Sequence, residues 1–200
     1  SNYQLPTLNA TNAPVTITAK DLTASLVNMG VTKVYDGATD APSGFTPSWS
    51  FTGLVAGDTT GTISNTGIVY DSKDVLSATK LTASGLSLTG ITGSNSSQTS
   101  DYNFTTTSSD VAATITPKTV SLSASKVYDG TTNLTGAVTL GGLVGMETLN
   151  YTGATSSDAH VATANKYIDA ISLADGTNGG VASNYQLPTL NATNAPVTIT

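Results

Sequence analysis

The sequence predicts an all-β chain made of two tandem modules, and three observations carry that reading. Ser, Thr, Gly, Ala, Asn and Val dominate, only 10% of residues are charged and strong helix formers are scarce. Apolar and polar residues alternate over short stretches punctuated by Gly, Asp and Asn, which is the period of strands with one buried face. The chain also repeats itself: Lys33-Val34-Tyr35-Asp36-Gly37-Ala38-Thr39 returns as Lys126-Val127-Tyr128-Asp129-Gly130-Thr131-Thr132. Ig-like β-sandwiches set end to end meet these constraints. β-grasp-like modules with one short helix are the alternative, and Ala159 to Ala170 is where that helix would show, although a strand is preferred there.

In chain order, residues 1–18 come first, and they are identical to residues 183–200 at an offset of 182. Identity of that length predicts one full period plus the tail of a preceding repeat, in an array that continues in both directions. Residues 1 to about 13 are then expected to fray or to dock on a neighbour, and Val15-Thr16-Ile17-Thr18 reads as a last strand. Residues 19–117 form module one and residues 118–200 module two. In each, an apolar β-former and an aromatic run into Asp-Gly: Gly supplies positive φ and the Asp carboxylate accepts turn amides. The tyrosine is expected to plug a small core.

After each turn comes a matching segment, Gly53-Leu54-Val55-Ala56-Gly57-Asp58 and then Gly142-Leu143-Val144-Gly145-Met146-Glu147. A strand beginning at Lys80 parallels one beginning at Lys166. Both modules then carry a tyrosine element, Ser100-Asp101-Tyr102 and Ser183-Asn184-Tyr185, and close on Ala113-Thr114-Ile115-Thr116 and Val197-Thr198-Ile199-Thr200. Val34, Tyr35, Phe51, Leu54, Leu86, Leu88 and Ile115 are expected inside module one. Leu122, Ala124, Val127, Val138, Leu140, Leu143 and Ile171 are expected inside module two. Pro117 at the junction restricts the linker and predicts stiff stacking of successive modules.

Composition narrows the function. Thirteen acidic residues face seven lysines, for a net charge of −6, and arginine is absent. Phosphate recognition needs a basic field and favours the guanidinium fork, so nucleic acid is not an expected partner. No apolar run reaches membrane-span length, so no membrane insertion is expected. With no cysteine and one histidine, His160, neither a thiolate zinc site nor a Ser/His/Asp arrangement in module one can be assembled.

The ordered set KVYDGTT, GLV-x-G-D, a Lys-started strand, NY and a closing TIT resembles the YDG and MBG-type repeats of large bacterial surface exoproteins. These occur in filamentous-haemagglutinin-like and biofilm adhesins, many exported by two-partner secretion. The resemblance covers residues 20–200. It implies an extracellular stalk at the bacterial cell surface, outer-membrane-tethered or secreted, that spaces a distal binding domain and supports adhesion or biofilm formation. It implies no enzyme and no catalytic residue, and it makes neighbouring repeats the expected partners. Gly145-Met146-Glu147 departs from Gly-Asp, and Ala38 departs from Thr.

The structural motif is therefore Lys33, Tyr35, Asp36 and Gly37 with Lys126, Tyr128, Asp129 and Gly130. Lys33 and Lys126 also raise an isopeptide cross-link, against the plainer reading of a strand-end lysine. Asp36 with Asp40, or Asp71 with Asp74, would be the acids of a glycoside hydrolase, but all sit in turn-like contexts. Calcium rigidifies many extracellular arrays, yet no spaced Asp-x-Asp-x-Asp loop occurs, so no cofactor is assigned. Module one alone carries the loop Pro42 to Trp49, and Phe45 and Trp49 are the candidates for a ligand loop. The alternative function is accordingly a module that binds host glycan or matrix polysaccharide.

Overall fold

The computed structural model describes residues 2–200 and is all-β. Its strands are β1 (Lys20–Leu26), β2 (Val31–Val34), β3 (Trp49–Thr52), β4 (Asp58–Ser64), β5 (Gly67–Tyr70), β6 (Lys80–Ser84), β7 (Ser87–Gly93) and β8 (Tyr102–Phe104). They continue as β9 (Ser108–Thr116), β10 (Lys118–Thr119), β11 (Ser121–Lys126), β12 (Val138–Gly141), β13 (Leu149–Ser156), β14 (Ile168–Asp175), β15 (Tyr185–Gln186) and β16 (Val197–Ile199). The helical content among the described residues is two short 3-10 turns, Thr99–Asp101 and Ala182–Asn184. The Ala159 to Ala170 stretch holds a turn followed by the start of β14, with no helix.

The chain divides into two compact units. The first takes residues up to Asn28 with Pro47–Gly67 and Ala83–Asp110. Here β1 lies between β3, antiparallel, and β8, parallel. Alternation sends Leu22, Ala24 and Leu26 inward and leaves Asp21, Thr23 and Ser25 exposed. β8 ends at Phe104, so the β1 amides beyond its reach need other acceptors. Thr106 Oγ1 takes the Ala24 N–H at 3.0 Å and Ser109 Oγ takes the Leu26 N–H at 2.9 Å. β4 and β7 form an antiparallel ribbon beside them in sequence, broken by two register shifts.

The second unit takes Met29–Thr46, Ile68–Thr82 and Val111–Thr200, so it contains part of the first repeat together with the second. Its ladders are β2-β9-β6-β5, β12-β11-β16, β10-β15 and β13-β14. One continuous core runs through it from Val31 and Tyr35 to Leu122, Ile168, Tyr185 and Ile199. In each repeat the entering strand pairs in parallel with the closing one: Val31 to Val34 lie opposite Ala113 to Thr116, and Ala124 to Lys126 opposite Val197 to Ile199.

Three expectations are corrected. Val34 and Val127 point out, at 56% and 75% exposure, because Tyr35, Lys33 and Val31 share one face, as Lys126 and Ala124 do, and a strand cannot send adjacent residues to the same side. Val15-Thr16-Ile17-Thr18 forms no strand, and Val15 and Ile17 are 84% and 92% exposed. The identical Val197–Ile199 is a strand because β11 lies beside it, whereas residues 15–17 have no paired strand among the described residues. Tyr128 is 49% exposed and plugs no core, whereas Tyr35 is 1% exposed.

Candidate functional site

The repeated turn is closed by its own lysine. The Lys33 ammonium donates to both Asp36 carboxylate oxygens, at 2.7 and 3.0 Å, and to the Ala38 carbonyl at 2.9 Å. Asp36 Oδ1 in turn accepts the Ala38 N–H at 3.0 Å. Lys126 repeats this on Asp129 at 2.7 Å and on the carbonyls of Thr131 and Asn133 at 2.7 and 3.0 Å. Three contacts from Lys126 and Thr131 hold the Asp129 carboxyl down at about 2, the lysine hydrogen bond first among them. Both lysines are thus ion-paired clamps of a loop. Gly37 and Gly130 take φ of 80° and 78°, the left-handed conformation that the turn requires.

What differs is the surroundings of the tyrosine. In the second unit the Tyr35 hydroxyl donates to Glu147 Oε1 at 2.7 Å, and the Tyr185 hydroxyl donates to Glu147 Oε2 at 2.7 Å. The rings meet edge to face, with centroids 5.4 Å apart at 75°. Lys73 Nζ donates to the Tyr35 hydroxyl at 3.3 Å, and the Val144 N–H donates to the Tyr185 hydroxyl at 2.9 Å. Burial, and then the bond to the carboxylate, raise both phenols, Tyr185 to about 12. Asn184, fully buried, accepts the Val75 N–H at 2.9 Å and donates to Asp74 Oδ1 at 2.7 Å, tying down the turn that carries Lys73. A Cβ on Gly37 would lie 2.8 Å from Val144 Cγ1, so while Val144 is in place the close approach favours glycine there, as φ does.

Glu147 is the only glutamate in the chain. Its counterpart in the first unit is Asp58. A turn places each acid, Asp58 N–H on Val55 O and Glu147 N–H on Val144 O, both at 3.0 Å. The Tyr102 hydroxyl donates to Asp58 Oδ2 at 2.5 Å, and the Val55 N–H donates to that hydroxyl at 3.0 Å, as Val144 does to Tyr185. The hydrogen bond from Tyr102 is the main cause that lowers the Asp58 carboxyl, while burial raises the Tyr102 phenol.

A comparison with protein-family models matches the YDG domain twice, over residues 18–109 and 111–194. The chain belongs to the YDG domain family. Searches of curated proteins and of solved structures returned no match. The first YDG match supplies Tyr35 and Lys73, and the second supplies Glu147, Tyr185 and Asn184, so residues of both repeats build one side-chain cluster.

The remaining candidates have structural places. Phe45 is half-buried against the core of the second unit, and its N–H closes a turn on Pro42 O at 2.9 Å. Trp49, also half-buried, opens β3 opposite Leu26. His160 stacks on Tyr128 at 6.5 Å. Asp71 accepts from Thr79 and Lys80, and Asp74 is held by Asn184 and Lys73. Among the described residues, no group of three or more His, Cys, Asp or Glu side chains gathers to hold a metal. Sequence reasoning missed Glu147, Lys73 and Asn184. The signal available was that an acid and a tyrosine follow the YDG turn at matching places in both repeats, despite the Asp to Glu change.

Proposed function

We propose that these YDG repeats are a load-carrying spacer in a bacterial surface adhesin, placed outside the cell to hold a distal binding domain away from it. The observation that carries the reading is the parallel pairing of entering and closing strands in both repeats. Tension applied to the two ends of such a repeat pulls parallel neighbours in opposite directions. Their hydrogen bonds are then loaded together in shear, whereas an antiparallel hairpin pulled at its open end loses them one at a time. The resemblance of the motif order to adhesin stalks supports the same reading. So does the cluster around Glu147, which joins successive repeats by part-buried charge-assisted bonds that restrain their junction.

Single-molecule pulling tests it. Pulled through its ends, the chain should give a discrete high-force rupture for each repeat. Pulled through attachment points at Leu149 and Asp175, which face each other across β13 and β14, it should open at much lower force. Equal forces in the two geometries would reject the spacer reading. The binding alternative has one observation in its favour, a cleft of about 520 Å³ in the second unit lined by Leu140, Asn150, Tyr151 and Thr152. Specific retention of a polysaccharide on the chain, lost in Tyr151→Ala, would favour that reading.

A further inference from the structure

The first unit contains an acceptor like the one Tyr35 occupies, and it is only half used. Asp58 is 9% exposed, Tyr102 takes its Oδ2, and its Oδ1 is buried with no hydrogen-bond partner. Asn95 and Ser97 stand close enough to help lower the carboxyl, but the Asn95 amide donates to Ala56 O at 2.8 Å. A buried carboxylate oxygen without a donor carries the full cost of its desolvation. At the corresponding atom of the second unit, Glu147 Oε1, the donor is a YDG tyrosine.

Val55, whose carbonyl accepts the Asp58 N–H, and Ser97, which helps lower the Asp58 carboxyl, also line a cleft of about 460 Å³ together with Ile17, Thr18, Ala19 and Lys20. The matching residues of the second unit frame Tyr35: Thr116, in the place of Thr18, accepts the Tyr35 N–H, and Val144, in the place of Val55, packs on Gly37. The complementary half is also on the chain. Tyr128 sits on a turn built like that of Tyr35, is 49% exposed, and among the described residues no carboxylate bonds its hydroxyl. A Cβ on Gly130 meets no atom closer than the Tyr128 hydroxyl at 4.0 Å, so the face that Val144 covers on Gly37 is open here.

We propose that the Asp58–Tyr102 site receives the tyrosine turn of a second copy of this chain, the Tyr128 hydroxyl donating to Asp58 Oδ1 and Gly130 packing on Val55. This deepens the spacer reading and rests on it. The contact is head to tail, so it does not close and extends as an open series. Ile17 and Thr18, at the end of the exposed segment 2–18, line this cleft, so that segment has to give way, its place being taken by the identical 184–200 of the incoming copy. One such contact is weak between separate chains and becomes strong when repeats share a polypeptide, through effective concentration.

Disulfide trapping tests this in a chain that has no cysteine. A Cβ on Gly37 lies 3.9 Å from Val144 Cβ, within the spacing a disulfide accepts. Gly37→Cys with Val144→Cys should therefore close within one chain and serves as the internal standard. A Gly130→Cys chain mixed with a Val55→Cys chain should link at least about tenfold faster than the same chain mixed with Ser43→Cys, an exposed site. Adding Tyr128→Phe to the Gly130→Cys chain should slow linkage several-fold, with the circular dichroism of both chains unchanged. Closure of the internal standard, with Val55→Cys no faster than Ser43→Cys, would overturn the docking and leave the spacer reading standing. An internal standard that stays open would remove the joint on which both lean. A Tyr128→Phe chain that links as fast as its parent would reject the assigned hydrogen bond.

Discussion

Two tyrosines with the same neighbours in sequence carry different weights in the fold. Tyr35 is buried and shares Glu147 with Tyr185, whereas the Tyr128 side chain stacks on His160 and remains half exposed. Tyr35→Phe keeps the ring but leaves Glu147 Oε1 without its phenol, and is expected to cost about 1–3 kcal/mol in urea unfolding. Tyr128→Phe should fall within about 0.5 kcal/mol of the parent in the same measurement. The raised phenols also set an alkaline limit. A group whose folded pKa lies above its unfolded value stabilises fully below the latter and loses that contribution as pH rises through the former. Tyr185 moves from 10.0 to about 12, so its contribution should fade between those values. Melting temperature followed across that range should fall, and Tyr185→Phe should remove part of the fall.

At the scale of elements, residues 2–18 and 184–200, identical in sequence, adopt different structures in one molecule. Val197 and Ile199 are buried in β16 on β11, while Val15 and Ile17 lie exposed with no ladder. Amide exchange should report this directly: slow at the paired β16 residues and fast at 15–17. Removing residues 2–18 should leave the melting temperature unchanged, and comparable exchange in the two segments would contradict the pairing. The two repeats also differ inside. Thirteen positions separate Lys20 from Lys33 and eight separate Lys118 from Lys126, so β11 runs unbroken where β1 and β2 are parted by Val27 to Gly30. With the additional Pro42 to Trp49 segment, the first repeat is the longer of the two, and its residues divide between both compact units.

For the whole molecule, the consequence is that repeat and compact unit are different objects. The second unit draws Val31, Tyr35, Tyr70, Ala78 and Leu81 of the first repeat into the core of the second. A chain restricted to residues 111–200 loses these apolar contacts and strips Glu147 of the Tyr35 hydroxyl. It should melt at a lower temperature than the same residues do within the full chain, as calorimetry can check. An equal or higher value would mean that the shared core contributes nothing.

How much of this was legible beforehand follows from what each feature depends on. Alternation, turn chemistry and repetition are local, so the sequence alone determined the all-β class, the two repeats, the Asp-Gly turns and part of the core, Tyr35, Leu86, Ile115, Leu122, Ala124 and Ile171. The same period-two rule, applied fully, would have turned Val34 and Val127 outward. Which tyrosine is buried, which copy of an identical segment becomes a strand, and the meeting of Glu147 with two phenols were decided only by the tertiary structure. Strand pairing and burial depend on partners far away in the chain, and identical residues diverge when only one copy has such a partner.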